Sequence, residues 1–212
     1  MIVTATAESS NDTANDDKIV NVENITGTTG NDTITGNSVA NIINGGNGID
    51  EMRYDYTTVE STGVKVDLST GTATETVSSI AVIDQLSNIE KIVGSNYDDR
   101  FITSGTVSNY IDGNESYDNA NDSLDRLEVN GDTIDYSGKN SGITLDLNVT
   151  DTNSSNTTYQ YSTVDVAGSA IDDYIKDIEN VSGSTVKDII TGDANKNTLL
   201  GNAGNDTLDG GA

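Results

Sequence analysis

Cysteine and histidine are both missing from this 212-residue chain. Without cysteine there are neither disulfides nor thiolate zinc sites, and without histidine the commonest transition-metal ligand is gone, so hard oxygen ligands remain. The same absence removes an HExxH zinc site and a Ser-His-Asp triad, and no GxSxG elbow is present. Apolar residues are scarce: 33% of the chain is hydrophobic and 5% aromatic, which is thin for a compact core. No apolar run exceeds about four residues, against the roughly 18 needed to cross a bilayer, so no membrane insertion is expected. Basic residues are few as well. Ten Lys and Arg face 35 Asp and Glu, a net charge of -25, and an acidic surface of that size repels nucleic acid and anionic lipid.

Low hydrophobicity with high net charge ordinarily leaves a chain disordered, because too little apolar surface is buried to offset chain entropy. A divalent cation that neutralises carboxylates is the simplest agent that would hold such a chain together, and folding would then depend on the ion. The acids are 26 Asp and only 9 Glu. The Asp residues sit beside Gly and Asn rather than in helical pairs with Lys, a distribution of turns and ligands.

A nine-residue unit occurs three times in tandem from Gly27 to Arg53, as GTTGNDTIT, GNSVANIIN and GGNGIDEMR. The sixth positions are Asp32, Asn41 and Asp50, and the eighth positions Ile34, Ile43 and Met52 are apolar. The array recurs from Gly183 to Asp209, with Asp188, Asn197 and Asp206 at the sixth position and Ile190, Leu199 and Leu208 at the eighth. A rougher copy starts at Gly94, where Asp99, Asn109 and Asp118 take the sixth place after a one-residue slip. Its register blurs between Gly113 and Asp132, where Asp118, Asp122, Asp125 and Asp132 all remain candidates. Glu23, Glu90 and Glu179 extend the pattern one unit upstream, as ligands or as capping residues.

A glycine-rich half followed by Asp-x-apolar reads as a turn and then a short strand. With two units per coil, residues 18 apart stack in adjacent coils, which places Asp32 on Asp50 and Asp188 on Asp206. Parallel strands lie about 4.8 Å apart, so an ion midway between stacked turns is roughly 2.4 Å from ligands on each. That suits calcium, at about 2.3–2.6 Å, better than magnesium. Asn41 and Asn197 are expected to form amide ladders, and Tyr54, Tyr56 and Tyr136 to fill the core where an array meets its connector. The alternating segments from Gly63 to Leu68 and from Gly142 to Leu147 read as strands with one packed face.

These units resemble the GGxGxDxUx nonapeptides of the RTX, or hemolysin-type, calcium-binding family. Gly45-Gly46-Asn47-Gly48-Ile49-Asp50-Glu51-Met52-Arg53 fits throughout. The segments from Tyr54 to Gly94 and from Asp135 to Gly183 are similar to connectors in large RTX surface proteins. The resemblance implies an all-β fold, a right-handed parallel β-roll or β-solenoid of short calcium-binding arrays joined by longer β connectors. It implies calcium held by glycine-rich turns and sixth-position acids, here Gly27, Gly30, Asp32, Gly45, Gly46, Gly48, Asp50, Asp99, Asp118, Asp188, Gly201, Gly204 and Asp206. The turns depart from the pattern at Val39-Ala40, Val186-Lys187 and Ala194-Asn195-Lys196, and the two lysines suit a cation site only if they point into solvent.

The chain divides into a flexible segment (1–17), a first array (18–53), a β connector (54–84), a degenerate array (85–120), a second connector (121–173) and a third array (174–212). Met1-Ile2-Val3 lacks the charged and apolar regions of a signal peptide. Gly210-Gly211-Ala212 breaks off where another glycine-rich unit would begin, so the polypeptide is expected to continue. The expected function is a non-enzymatic, calcium-binding structural segment of a secreted or cell-surface bacterial protein, of adhesin or S-layer type, with self-association through solenoid ends or sides. The resemblance also implies export through a type I secretion channel and folding in extracellular calcium. One alternative is the β-helix of a secreted polysaccharide-acting enzyme, since carboxylate pairs cleave sugars. An ice-binding face is the lesser alternative.

Overall fold

A computed structural model of the chain describes residues 3–4, 22–55, 63–105, 107–114, 131–148, 151–153, 157–166 and 169–211. The described residues are all β, without a helix. A turn of six residues leaves three of every nine for a strand, and most strands are accordingly three residues long: β1 (Val3–Thr4), β2 (Asn24–Thr26), β3 (Thr33–Thr35), β4 (Ile42–Asn44) and β5 (Glu51–Arg53) open the chain. The first connector adds β6 (Lys65–Asp67), β7 (Thr72–Val77) and β8 (Ile80–Ser87), followed by β9 (Lys91–Val93), β10 (Arg100–Ile102), β11 (Tyr110–Asp112) and β12 (Thr133–Asp135). The second connector contributes β13 (Ile143–Asp146), β14 (Asp151–Asn153), β15 (Thr157–Val166) and β16 (Ser169–Lys176), before β17 (Asn180–Ser182), β18 (Ile189–Thr191), β19 (Thr198–Leu200) and β20 (Thr207–Asp209).

Within the arrays successive strands alternate between two ten-stranded sheets. The 18-residue register holds. Ile25 pairs with Ile43 and Ile34 with Met52, both in parallel, as do Val181 with Leu199 and Ile190 with Leu208. The middle residue of most triplets is packed inside, and Ile34, Ile43, Met52, Phe101, Ile111, Ile134, Val181 and Ile190 are all buried, whereas Leu208 in the outermost strand β20 is 46% exposed.

The connectors depart from the purely parallel arrangement. β6, β7 and β8 form an antiparallel meander inserted between β4 and β10 of one sheet. β13, β15 and β16 form a second between β18 and β11 of the other. The β7–β8 hairpin turns on Ser78 and Ser79, both at positive φ (51° and 65°), the handedness a two-residue loop needs to match strand twist. Val64 and Val66 in the first connector, and Ile143, Leu145 and Leu147 in the second, point inward as alternation predicts. Tyr54 and Tyr136 are fully buried at the junctions, and the Tyr54 hydroxyl donates to Asp84 Oδ2 at 3.3 Å. Tyr56, the third tyrosine expected there, lies outside the described residues.

With one apolar side chain per strand, each inward residue carries much of its rung. Ile43 is fully buried between Ile25 and Leu86, its register partners, whereas its neighbour Ile42 is 53% exposed. Chemical denaturation should separate the two: Ile43→Ala should cost about 2–5 kcal/mol, and Ile42→Ala no more than about 0.5 kcal/mol.

Candidate metal centre

The repeat places its sixth residue at the end of the turn, directly before a strand, and the acid there folds back over its own loop. Asp32 Oδ2 accepts the Thr28 N–H at 2.6 Å, Asp99 Oδ2 the Ser95 N–H at 2.6 Å, and Asp188 Oδ2 the Ser184 N–H at 2.7 Å. The hydroxyl at the second position joins in, with Thr28, Ser95 and Ser184 each donating through Oγ to the same carboxylate. The first-position glycine makes room. A Cβ on Gly27 or Gly45 would lie 2.5 Å from Oδ2 of Asp32 or Asp50, and Gly94, Gly183 and Gly201 are crowded in the same way by Asp99, Asp188 and Asp206.

Each such acid also reaches across to the neighbouring rung. The Asp32 N–H donates to Asp50 Oδ1 (2.8 Å) and the Asp50 N–H to Glu90 Oε2 (3.0 Å). A second ladder runs from the Val64 N–H to Asp99 (2.6 Å), from the Asp99 N–H to Asp132 (2.7 Å) and from the Asp132 N–H to Glu179 (2.7 Å). A third joins Ile143 to Asp188 (2.9 Å) and Asp188 to Asp206 (3.0 Å). Asp32 and Asp50 are therefore stacked, as are Asp188 and Asp206. Glu90 and Glu179 cap backbone N–H groups. Asn41 and Asn197 take the same turn-capping role with their amide oxygens, from Asn37 (3.1 Å) and Asp193 (2.8 Å). Lys187 and Lys196 are exposed.

Asp118, Asp122 and Asp125 lie outside the described residues. Asp132 holds the sixth-position place after Gly113: it caps Asp99, and its Oδ2 occupies the space of a Gly113 Cβ. Two acids that repeat counting missed, Asp84 and Asp173, sit inside meander strands and cap the N–H groups of Asn41 (2.8 Å) and Asn109 (3.1 Å). A signal for them existed. Asp84-Gln85-Leu86 and Asp173-Tyr174-Ile175 keep the Asp-x-apolar half of the repeat after its glycine half has been lost.

Burial makes these carboxylates reluctant to ionise. It raises Asp84 to about 6 against the acceptance of the Asn41 N–H, and Asp99 to about 7 against the Ser95 hydrogen bonds. Asp132 is pushed to about 10, by burial first and then by the charge of Asp99. Asp50 is raised, chiefly by burial, and its Oδ2 is buried with no hydrogen-bond partner.

Among the described residues no three acidic side chains converge on one point, so an ion between rungs must be held by paired carboxylates and backbone carbonyls. The turns at Gly27 and Gly45 fit that demand. Gly46 and Gly48 adopt φ of 105° and 133°, which lays the upper loop flat on the lower one. A Cβ on Gly48 would stand 2.5 Å from the Gly30 carbonyl, and one on Gly46 would strike the Thr28 carbonyl. The orphaned Asp50 Oδ2 supplies the unspent negative charge. Asp32 and Asp50, with the carbonyls of Thr28 and Gly30, would hold a hard cation, and the ion would supply the positive charge these turns lack.

Residues 22–52 and 182–212 match the RTX calcium-binding nonapeptide repeat (4 copies). The two matched segments contain the Asp32–Asp50 and Asp188–Asp206 stacks, while Asp99 and Asp132 lie outside them. RTX nonapeptide repeats bind Ca2+, and calcium is the ion of these segments. No curated protein matches the chain.

The raised acids fix a pH dependence. A carboxyl whose folded pKa exceeds its ordinary value holds a proton that the unfolded chain releases, so its stabilisation is complete below the unfolded value and is lost as pH climbs through the folded one. In chelator, the urea midpoint should fall from about pH 4 onward as Asp84, Asp99 and Asp132 are forced to ionise in turn. Asp132→Asn, which keeps the acceptor for the Asp99 N–H, should flatten the upper part of that decline, and a midpoint that rises with pH would contradict it.

Proposed function

We propose that this chain is a calcium-dependent structural segment of a secreted or cell-surface protein, whose strands wind as a right-handed β-roll and stiffen when the ion binds. The observation that carries the reading is Asp50 Oδ2, a buried carboxylate oxygen without a partner in the unit that fits the nonapeptide at every position. Leaving such a group unpaired costs about 1–3 kcal/mol or more, and a cation between the turns removes that cost. Weak sites of roughly 10⁻⁴ to 10⁻³ M are filled in millimolar extracellular calcium and empty at cytosolic levels, so the ion couples folding to export. A chain that stays loose until it leaves the cell suits type I secretion, and an adhesin or S-layer setting suits a stiff, ion-set rod.

The role is non-enzymatic. A cavity of about 260 Å³ opens beside Thr103, Ser104, Asp135, Lys139 and Asn140, with Asp135 the one acid in its lining. Against the effect of burial, hydrogen bonds from Ser137 and Arg100 hold Asp135 below the usual carboxylate range. It is thus no proton donor, and a two-carboxylate hydrolysis lacks its second member there. Self-association runs through sheet edges: β3, β19 and β20 are outermost strands, and open edges accept further strands, from the same polypeptide or from another copy.

Circular dichroism with calcium titration tests the reading. The chain should lose part of its β signal in chelator and regain it at millimolar calcium, and Asp50→Asn, which keeps an acceptor for the Asp32 N–H, should need about tenfold more calcium for the same change. A spectrum indifferent to the ion would overturn it.

A further inference from the structure

The stacked pairs of turns are built to one plan with one difference. In each, the lower turn carries Thr or Ser at its second position (Thr28, Ser95, Ser184), while the upper turn carries Gly46, Asn114 or Asn202 there, all at positive φ. Asn202 sends its side-chain amide down onto the lower turn, where Nδ2 donates to the Gly183 carbonyl at 2.6 Å and to Ser182 Oγ at 3.0 Å. Asn114 does likewise, with Nδ2 3.1 Å from the Ser95 carbonyl and 3.1 Å from Asn96 Oδ1. Gly46 has nothing to send, and no side chain can be installed there because a Cβ would strike the Thr28 carbonyl.

We propose that the Asn202 amide stands in for the cation between the Gly183 and Gly201 turns, so that this pair closes without calcium while the Gly27 and Gly45 pair requires it. This rests on the calcium reading above and assigns the ion within it. A calcium ion needs carbonyl oxygens at about 2.3–2.6 Å, and an amide nitrogen 2.6 Å from the Gly183 carbonyl oxygen leaves it no room for one. The N–H groups place partial positive charge between the two turns, against the Gly183 carbonyl and the Ser182 hydroxyl. The carboxylates agree. The counterpart of Asp50 in the third pair is Asp206, which also accepts one bond from the neighbouring rung, from the Asp188 N–H (3.0 Å), but is only half-buried. Asp50 accepts one, from the Asp32 N–H, and keeps a buried oxygen with none. Demand for a cation is concentrated in the first pair and met by an amide in the third.

The test counts ions by native mass spectrometry and follows melting in chelator and in calcium for the whole chain. Asn202→Gly restores the Gly-Gly turn and removes the latch. It should bind one more calcium ion than the parent, melt several degrees lower in chelator, and recover in calcium. Asn202→Asp, which also tolerates a left-handed backbone, replaces the donor with an acceptor and should gain the same ion. If neither variant binds an additional ion, the latch is overturned whatever their stability. A parent chain that binds no calcium would sink the functional reading instead, and the latch would then stand or fall on whether Asn202→Gly alone loses stability in chelator.

Discussion

A buried carboxylate that accepts the backbone N–H of the residue one rung away is the interaction on which this architecture depends. A short loop between parallel strands leaves N–H groups pointing along the stack, where neither a strand partner nor water reaches them, and an unpaired buried donor is expensive. Asp99 and Asp188 each answer for two such donors, the N–H four residues back in the same turn and one on the neighbouring rung, that of Val64 or Ile143. The shortness of aspartate is what makes this work, since the carboxylate rests where a Cβ of the first-position residue would be. The repeat therefore couples Gly at position one to Asp at position six through shape. Glutamate replaces aspartate where the loop shrinks to three residues, as in Asn88-Ile89-Glu90 and Asp177-Ile178-Glu179, and a longer arm is needed to reach back to Asp50 or Asp132.

That solution carries an electrostatic cost, and the composition reflects it. Most rungs add an acid near the stack axis, and the acids repel one another, which is why the charge of Asp99 adds to burial in raising Asp132. The inward apolar contribution is a single side chain per short strand, too little to absorb unlimited repulsion. The chain relieves it in several ways. Second-position hydroxyls donate to Asp32, Asp99 and Asp188. Asparagine takes the place of aspartate at positions 41, 109 and 197, where its amide oxygen caps as well without the charge. A half-buried lysine, Lys139, stands 3.9 Å from Asp173. None of these reaches Asp50 Oδ2, which is buried without a partner, and calcium would be the remaining means there.

The periodic features are the ones legible in the sequence. The 18-residue pairing, the stacking of Asp32 on Asp50 and of Asp188 on Asp206, the inward eighth position and the burial of Tyr54 and Tyr136 all come from one unit repeated with a fixed phase. The antiparallel meanders were not legible, because alternation in Gly63–Leu68 or Gly142–Leu147 gives the facing of a strand but not the direction of its partner. Counting nonapeptides also hid Asp84 and Asp173, and left Asp132 as one of four candidates. Asp132 is separated from its Gly113 by an insertion, and the other two belong to strands with no glycine turn before them. Tracing the Asp-x-apolar triplet alone, rather than the whole unit, recovers all three. The glycine half describes the loop, which varies; the triplet describes the contact between rungs, which does not.

The ladders also have direction and an end. In the first two, each N–H donates to the acid of the next rung until a glutamate is reached, and there the sense reverses: the Glu90 N–H returns to the Asp50 carbonyl (3.1 Å) and the Glu179 N–H to the Asp132 carbonyl (3.2 Å). A glutamate rung thus demands no acceptor from the rung beyond it, so a meander or a fresh array can be placed next without leaving a donor unpaired. Because the first two ladders close in this way, a cation bound within one would relieve repulsion there and do little for acids beyond the closed rung, while the third runs from Ile143 to Asp206 without a glutamate. The chain is on this account a series of short stacks sharing two sheets, and the calcium dependence proposed for it would be decided stack by stack, by which side chain occupies the second position of the upper turn.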